Sequence, residues 1–231
     1  MILSLINFIL ILLSYLKPVK IILMKTKKIF AGIAGIVLLA VVPSLATPPA
    51  GYNVGDKASD FKLKNVDGKM VSLADYKDAK GFIVVFTCNH CPFAKAYEDR
   101  IIDLNKKYAS KGYPVVAINP NDASAVPEDS YEEMQNRARE KNYNFAYLYD
   151  ETQKTAMAYG ATRTPHIYIL NKSKDGLVVK YIGAIDDNTD DPSAVKTHYV
   201  DNAMEQIMAG KEVSQNFTKA VGCTIKWKKT E

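Results

Sequence analysis

The chain has 231 residues, 48% of them apolar and 24% charged, proportions that exclude a disordered, collagen-like or coiled-coil chain and allow one ordinary core. Its formal charge of +5 suggests a polyanion binder, yet residues 1–46 hold five lysines and no acid, and without those five the other 25 bases meet 25 acids. The body is neutral and has no electrostatic footprint for nucleic acid.

In chain order, residues 24–46 read as a secretory signal peptide. Lys25, Lys27 and Lys28 form the basic start, Ile29–Val42 the apolar run, and Ser44 and Ala46 the small residues of a cleavage site. A second apolar stretch, Met1–Leu16, is shorter than the roughly 20 residues of a spanning helix. Translation from Met24, with residues 1–23 as an upstream extension, is the simplest account; the alternative is a membrane anchor retained over residues 1–42. The expected division is a leader at 1–46 and a folded domain at 47–231, exported to a periplasmic or cell-envelope location. Any membrane contact is made through the leader.

The folded pattern follows a Pro- and Gly-rich link, Thr47–Gly55. Phe61 to Leu63 alternates, Asp67-Gly68 is a two-residue turn and Met70–Leu73 is the return strand, so the spacing predicts a hairpin. Gly81–Phe86 is a continuous apolar run rich in β-branched residues, the pattern of a strand buried on both faces, and it runs straight into Cys88. Tyr97, Ile101, Leu104 and Tyr108 then mark one face of a helix. Tyr113–Ile118 reads as a second buried strand, and Ser130-Tyr-Glu-Glu133 as a capping box opening a helix to about Asn142. A strand at Ala146–Tyr149 and a helix at Thr152–Tyr159 lead to Thr164-Pro165. Two strands, His166–Leu170 and Leu177–Ile182, flank Asp175-Gly176. Val195, Tyr199, Ala203 and Ile207 give a last helix before a tail from Lys211. Strands alternating with helices argue for an α/β domain with a largely parallel central sheet.

Cys88, Cys91 and Cys223 are the only cysteines. In an oxidising compartment a close pair is either structural or redox-active. Cys88-Asn89-His90-Cys91-Pro92 sits where a buried strand meets a helix. Two intervening residues let the sulfurs bond, and a helix start favours a thiolate on Cys88, which makes Cys88 the attacking sulfur and Cys91 the resolving one. His90 is expected to lower the Cys88 pKa further. Zinc is the other common use of such a pair, but with Cys223 and three histidines left a closed four-ligand site is poorly supplied, so neither metal nor cofactor is expected.

The string Phe86-Thr87-Cys88-Asn89-His90-Cys91-Pro92-Phe93, with Thr164-Pro165 ahead of a strand, resembles the thioredoxin-like superfamily over most of residues 55–210. The hairpin from Phe61 to Leu73 resembles its redoxin branch, the AhpC/TSA and peroxiredoxin-like proteins, which includes exported thiol-disulfide oxidoreductases. Ala117-Ile-Asn-Pro-Asn-Asp-Ala123, Pro127-Glu-Asp-Ser130 and Gly222-Cys223-Thr-Ile-Lys-Trp-Lys228 resemble a peroxiredoxin-like group that carries the two-cysteine motif. The resemblance implies a mixed sheet flanked by helices, an N-terminal hairpin and a C-terminal tail. It implies disulfide exchange through Cys88 and Cys91 with a thiol- or disulfide-bearing protein. It further implies that Pro165 is cis and packs on the disulfide, leaving the Thr164 backbone free to pair with a substrate chain. Thr87 stands where thioredoxin has tryptophan. One alternative is a thiol peroxidase: Cys91 aligns with the peroxidatic cysteine, Cys88 with the family's threonine and Arg163 with its arginine. The other is a copper chaperone using Cys88, Cys91 and a histidine, although such proteins space their cysteines by three residues. Cys223 by itself reads as a buried inert thiol; the likeness of the ending makes it a candidate resolving or partner thiol.

Asp186, Asn188 and Asp190 echo a calcium loop, but Asp191 and Thr197 stand where glycine and glutamate are needed, so a solvated acidic loop is expected. His166 is expected to pack at a strand start, and His198 is isolated. Tyr143–Tyr149 reads as sheet surface rather than a nucleic-acid platform.

Overall fold

The computed structural model describes residues 51–229. The leader, the Met24 start and the division at residue 46 lie outside the described residues. In chain order the elements are β1 (Lys57–Ala58), β2 (Lys62–Asn65), β3 (Met70–Ser72), β4 (Gly81–Phe86), α1 (Pro92–Tyr108), β5 (Val115–Asn119), α2 (Tyr131–Glu140), β6 (Ala146–Tyr149), α3 (Lys154–Tyr159), β7 (Arg163–Thr164), β8 (His166–Ser173), β9 (Gly176–Gly183), α4 (Tyr199–Met208) and β10 (Cys223–Thr224). Among the described residues no helix is long and apolar enough to cross a membrane.

One sheet runs in the order β1-β9-β8-β4-β5-β6-β2-β3, and β7 pairs with β10 in a second, two-stranded one. The largely parallel sheet expected from the alternation is corrected to a mixed one. Among the described residues, the parallel strand pairs of the sheet are β4 with β5 and β5 with β6, the two pairs joined through helical crossovers. The β2–β3 and β8–β9 hairpins are antiparallel, and β8 lies antiparallel to β4. This is the mixed α/β, thioredoxin-like layout that the resemblance implies.

The six residues of β4 are all buried, and their alternation builds a core on each face. Phe82, Val84 and Phe86 pack with Val116, Ile118, Leu148, Tyr168 and the α3 residues Ala156 and Tyr159. Ile83 and Val85 pack with Tyr97, Ile101, Leu104 and Tyr108 of α1, the face that the helical spacing predicts, and with Val200, Ala203 and Met204 of α4. Truncating a fully enclosed residue such as Ile83 to alanine costs about 2–5 kcal/mol.

Three smaller expectations change. α4 starts at Tyr199, because Val195 closes a separate 3-10 turn. Tyr147 is not sheet surface: it is 1% exposed, and its hydroxyl reaches inward. Asp186 is not solvated either, since it is buried and accepts hydrogen bonds from Tyr97 Oη at 2.8 Å and Arg100 Nη1 at 2.7 Å.

The register also sets the place of the site. Phe86 pairs with His166, so the residues that follow β4 and those that precede β8 leave the sheet side by side. The loop after β5, parallel to β4, leaves at the same edge.

Candidate active site

Thr87 carries the β4 ladder one residue further, its N–H donating to the Ile118 carbonyl at 2.9 Å. The chain then turns into α1, whose N-cap is Cys91 and whose first residue is Pro92, a proline position that suits a helix start. Cys88 and Cys91 are both buried, at 3% and 0% exposure. Cys91 is joined by a disulfide to Cys223, with the Cα atoms 6.1 Å apart, and Cys88 remains a thiol. The structure therefore places the expected pair Cys88 and Cys91 in one cluster with Cys223 packed against it, and assigns the bond to Cys91 and Cys223.

Thr164 is the meeting point. Its Oγ1 lies 3.2 Å from Cys88 Sγ, and its carbonyl oxygen lies 3.3 Å from Cys91 Sγ. The Thr164-Pro165 peptide bond is cis. On its other side the Thr164 backbone is not free. β10 pairs antiparallel with β7 in the register Cys223 to Thr164 and Thr224 to Arg163, so the tail of this same chain fills the edge expected to take a substrate strand.

The electrostatics of Cys88 run opposite to expectation. Its pKa is pushed up to about 12, first by burial and then by the charge of Asp129, while the Thr164 hydroxyl and the N–H groups of Cys91 and His90 pull the other way. Two facts explain this correction. α1 begins at Pro92, so its N-terminus caps Cys91 and not Cys88. His90 stays near the sulfur, but its ring is engaged by the carboxylate, donating from Nδ1 to Asp129 Oδ2 at 2.5 Å.

Asp129, in the 3-10 turn Pro127–Asp129 before α2, is the residue that reading the sequence missed. Its fully buried carboxylate also accepts from the N–H groups of Asn89 at 2.7 Å and His90 at 3.2 Å, and from Asn121 Nδ2 at 2.7 Å. Asn89 donates from Nδ2 to the Glu128 carbonyl and accepts from Tyr147 Oη at 2.9 Å. The segment between the two cysteines is thus clamped by a carboxylate 39 positions away. The signal that could have found it is the run of Asn119, Asn121 and Asp129 beyond a buried strand, polar residues at the edge where sheets of this kind place their sites.

The remaining candidates frame the tail. Arg163 donates from Nη1 to the Gly222 carbonyl at 3.4 Å. His166 is buried with its ring centroid 4.9 Å from that of Tyr168, and burial pushes its pKa down to about 4. Cys88, His90 and Asp129 bring one sulfur, one nitrogen and one oxygen within 4.8 Å of one another and could hold a cation. The donor chemistry fits poorly: the Asp129 oxygens already take four N–H donors, and Cys91, the other thiol of the copper alternative, is committed to Cys223. What the arrangement can do is exchange sulfur bonds among three cysteines beside a cis-proline.

Residues 54–182 match the model of the AhpC/TSA family. Among curated proteins the chain is similar to a thiol-disulfide oxidoreductase ResA from Oceanobacillus iheyensis, 32% identical over 101 residues, or 42% of this chain and 52% of that one. It is also similar to ResA from Bacillus subtilis, 25% identical over 128 residues, or 55% of this chain and 66% of that one. It spans about half the length of the first of these relatives and about two-thirds of the other. Among solved structures it resembles an uncharacterized conserved protein from Geobacillus kaustophilus, with TM-score 0.72 and 39% identity over 78% of this chain and 95% of that one. A hypothetical protein from Sinorhizobium meliloti is similar too, with TM-score 0.71 and 32% identity over 77% and 96%.

Proposed function

The chain belongs to the AhpC/TSA family, and from that premise we propose that it is an enzyme, a thiol-disulfide oxidoreductase working through Cys91 and its neighbours Cys88 and Cys223. One observation carries this reading: three cysteines meet at Thr164, two already joined and the third a buried thiol beside them. The names of the curated relatives support the same chemistry.

A thiolate of a partner attacks the Cys91–Cys223 disulfide, forming a mixed disulfide and releasing one cysteine as thiolate. A second thiol of the partner then displaces the protein sulfur. Two electrons and the partner's protons pass to the enzyme, the partner leaves as a disulfide, and the sequence reverses with an oxidised partner. Cys91 at the start of α1 is where the helix N-terminus favours negative charge on the released sulfur. Asp129 and its amide partners hold the Cys88–His90 segment still while the bonds change. No cofactor enters. The substrate is a thiol- or disulfide-bearing protein, and the layout of residues 24–46 supports an exported, periplasmic or cell-envelope setting.

A thiol peroxidase is the second reading, favoured by one fact: the cysteine at the peroxidatic position, Cys91, is joined to a C-terminal cysteine. Against it, Cys88 occupies the threonine position and Arg163 is engaged with the Gly222 carbonyl. The reduced chain, challenged separately with oxidised glutathione and hydrogen peroxide, tests both. Exchange with the disulfide should outrun peroxide consumption by about tenfold or more and vanish in Cys91→Ser, as expected of a buried exchange sulfur. Faster peroxide consumption transfers the assignment to the peroxidase, and reaction with neither overturns both.

A further inference from the structure

The C-terminal tail behaves as a chain bound by its own site. Gly222 lies so close to the cis peptide that a Cβ there would stand 2.2 Å from the Thr164 carbonyl oxygen and 3.1 Å from Pro165 N, an approach that only glycine permits. The next two residues pair with β7, and Cys223 is bonded to Cys91. With this strand in place Cys88 and Cys91 are buried, and of the three cysteines Cys223 alone is partly exposed. Beyond Cys223 the tail is moored independently of the disulfide. Ile225 is buried, Lys226 N donates to Asn121 Oδ1 at 2.8 Å, the Lys226 carbonyl accepts from Gln153 Nε2 at 2.8 Å, and Lys228 N donates to Gln153 Oε1 at 2.8 Å. The Cys88 thiol sits in the same cluster without a covalent partner.

We propose that the tail is an internal substrate of the site and that Cys88 releases it by taking Cys91 over. This rests on the exchange chemistry proposed above and adds its regulation. Cys88 attacks Cys91 Sγ, the Cys91–Cys223 bond breaks, and a Cys88–Cys91 disulfide forms. The proton lost by Cys88 ends on Cys223, and no electrons are gained or lost. Residues 221–224 are then untied from β7, while residues 225–228 keep the tail at hand to return. The strand slot on Thr164 is closed in one disulfide state and open to an outside cysteine-bearing chain in the other. Burial, which keeps Cys88 protonated at neutral pH, slows the transfer there and makes it faster as pH rises.

The test uses the whole oxidised chain, free of reductant, held in saturating N-ethylmaleimide and mapped by mass spectrometry after non-reducing digestion. The expected result is modification of Cys223 together with a growing Cys88–Cys91 disulfide, at a rate rising with pH, and a drop of about tenfold or more in Cys223 labelling in Cys88→Ser, where the attacking thiol is missing. Modification of Cys88 with Cys91–Cys223 intact, or no modification of any sulfur, overturns the proposal. The wild-type map decides by itself, so a Cys88→Ser chain that misfolds leaves the result standing. A chain that exchanges with glutathione yet labels on Cys88 keeps the function and loses the internal substrate.

Discussion

On one side of Cys91, the Cys88–His90 segment is held by hydrogen bonds converging on a single buried carboxylate, that of Asp129. On the other, Cys223 is held by a two-residue strand and by the disulfide itself. The first arrangement leaves buried N–H groups without partners if it opens, a cost of about 1–3 kcal/mol for each. The second can come apart at little cost once the sulfur bond moves, because the edges of β7 and β10 have water to turn to. A site that exchanges bonds needs both, a fixed attacking side and a replaceable side.

The sharpest way to break this contrast is Asp129→Ala. Removing the carboxylate strands the amides of Asn89 and His90 and the Asn121 side chain, and we expect a loss of about 3–5 kcal/mol in denaturant unfolding. A loss under about 1 kcal/mol would mean that the clamp is not rigid.

A pH signature comes from His166, which follows Pro165 and opens β8. Its folded pKa, about 4, lies below the ordinary 6.5. The unfolded chain therefore takes up the proton first as pH falls. Stability is full above about pH 6.5 and is lost progressively down to about pH 4, by about 3 kcal/mol in all. His166→Phe should flatten that part of the profile, as read from unfolding midpoints between pH 7 and pH 4.

A smaller effect is expected from Gln153→Ala, which removes two of the tail's mooring bonds. Amide hydrogen exchange at residues 226–228 should quicken by about tenfold, the equivalent of about 1.4 kcal/mol, while exchange at Asn89 and His90 stays unchanged. Equal quickening on both sides would erase the distinction between them. Least is expected of Arg163→Ala. Its single 3.4 Å contact to the Gly222 carbonyl predicts a change under about 0.5 kcal/mol in thermal unfolding.

The parts of the molecule legible in the sequence are those written as local patterns. The apolar run Gly81–Phe86 forms β4, and the helical spacing of Tyr97, Ile101, Leu104 and Tyr108 gives the core face of α1. The mixed direction of the sheet is not written in the alternation itself, because β8 and β9 follow a βαβ series yet join it as a hairpin beside β4. Asp129 was missed because a clamp 39 positions from its target carries no periodicity. The Cys91–Cys223 bond was not legible because strands as short as β7 and β10 have no alternation to read, and a separation of 132 residues is closed only by the fold.

The most direct measurement equilibrates the whole chain across a series of reduced and oxidised glutathione ratios, quenches with acid and maps every disulfide. The expected result is a reversible two-electron transition in which Cys91 belongs to each disulfide found, with Cys223 or with Cys88. A Cys91 that stays a thiol across the series, or a disulfide formed without it, contradicts the account.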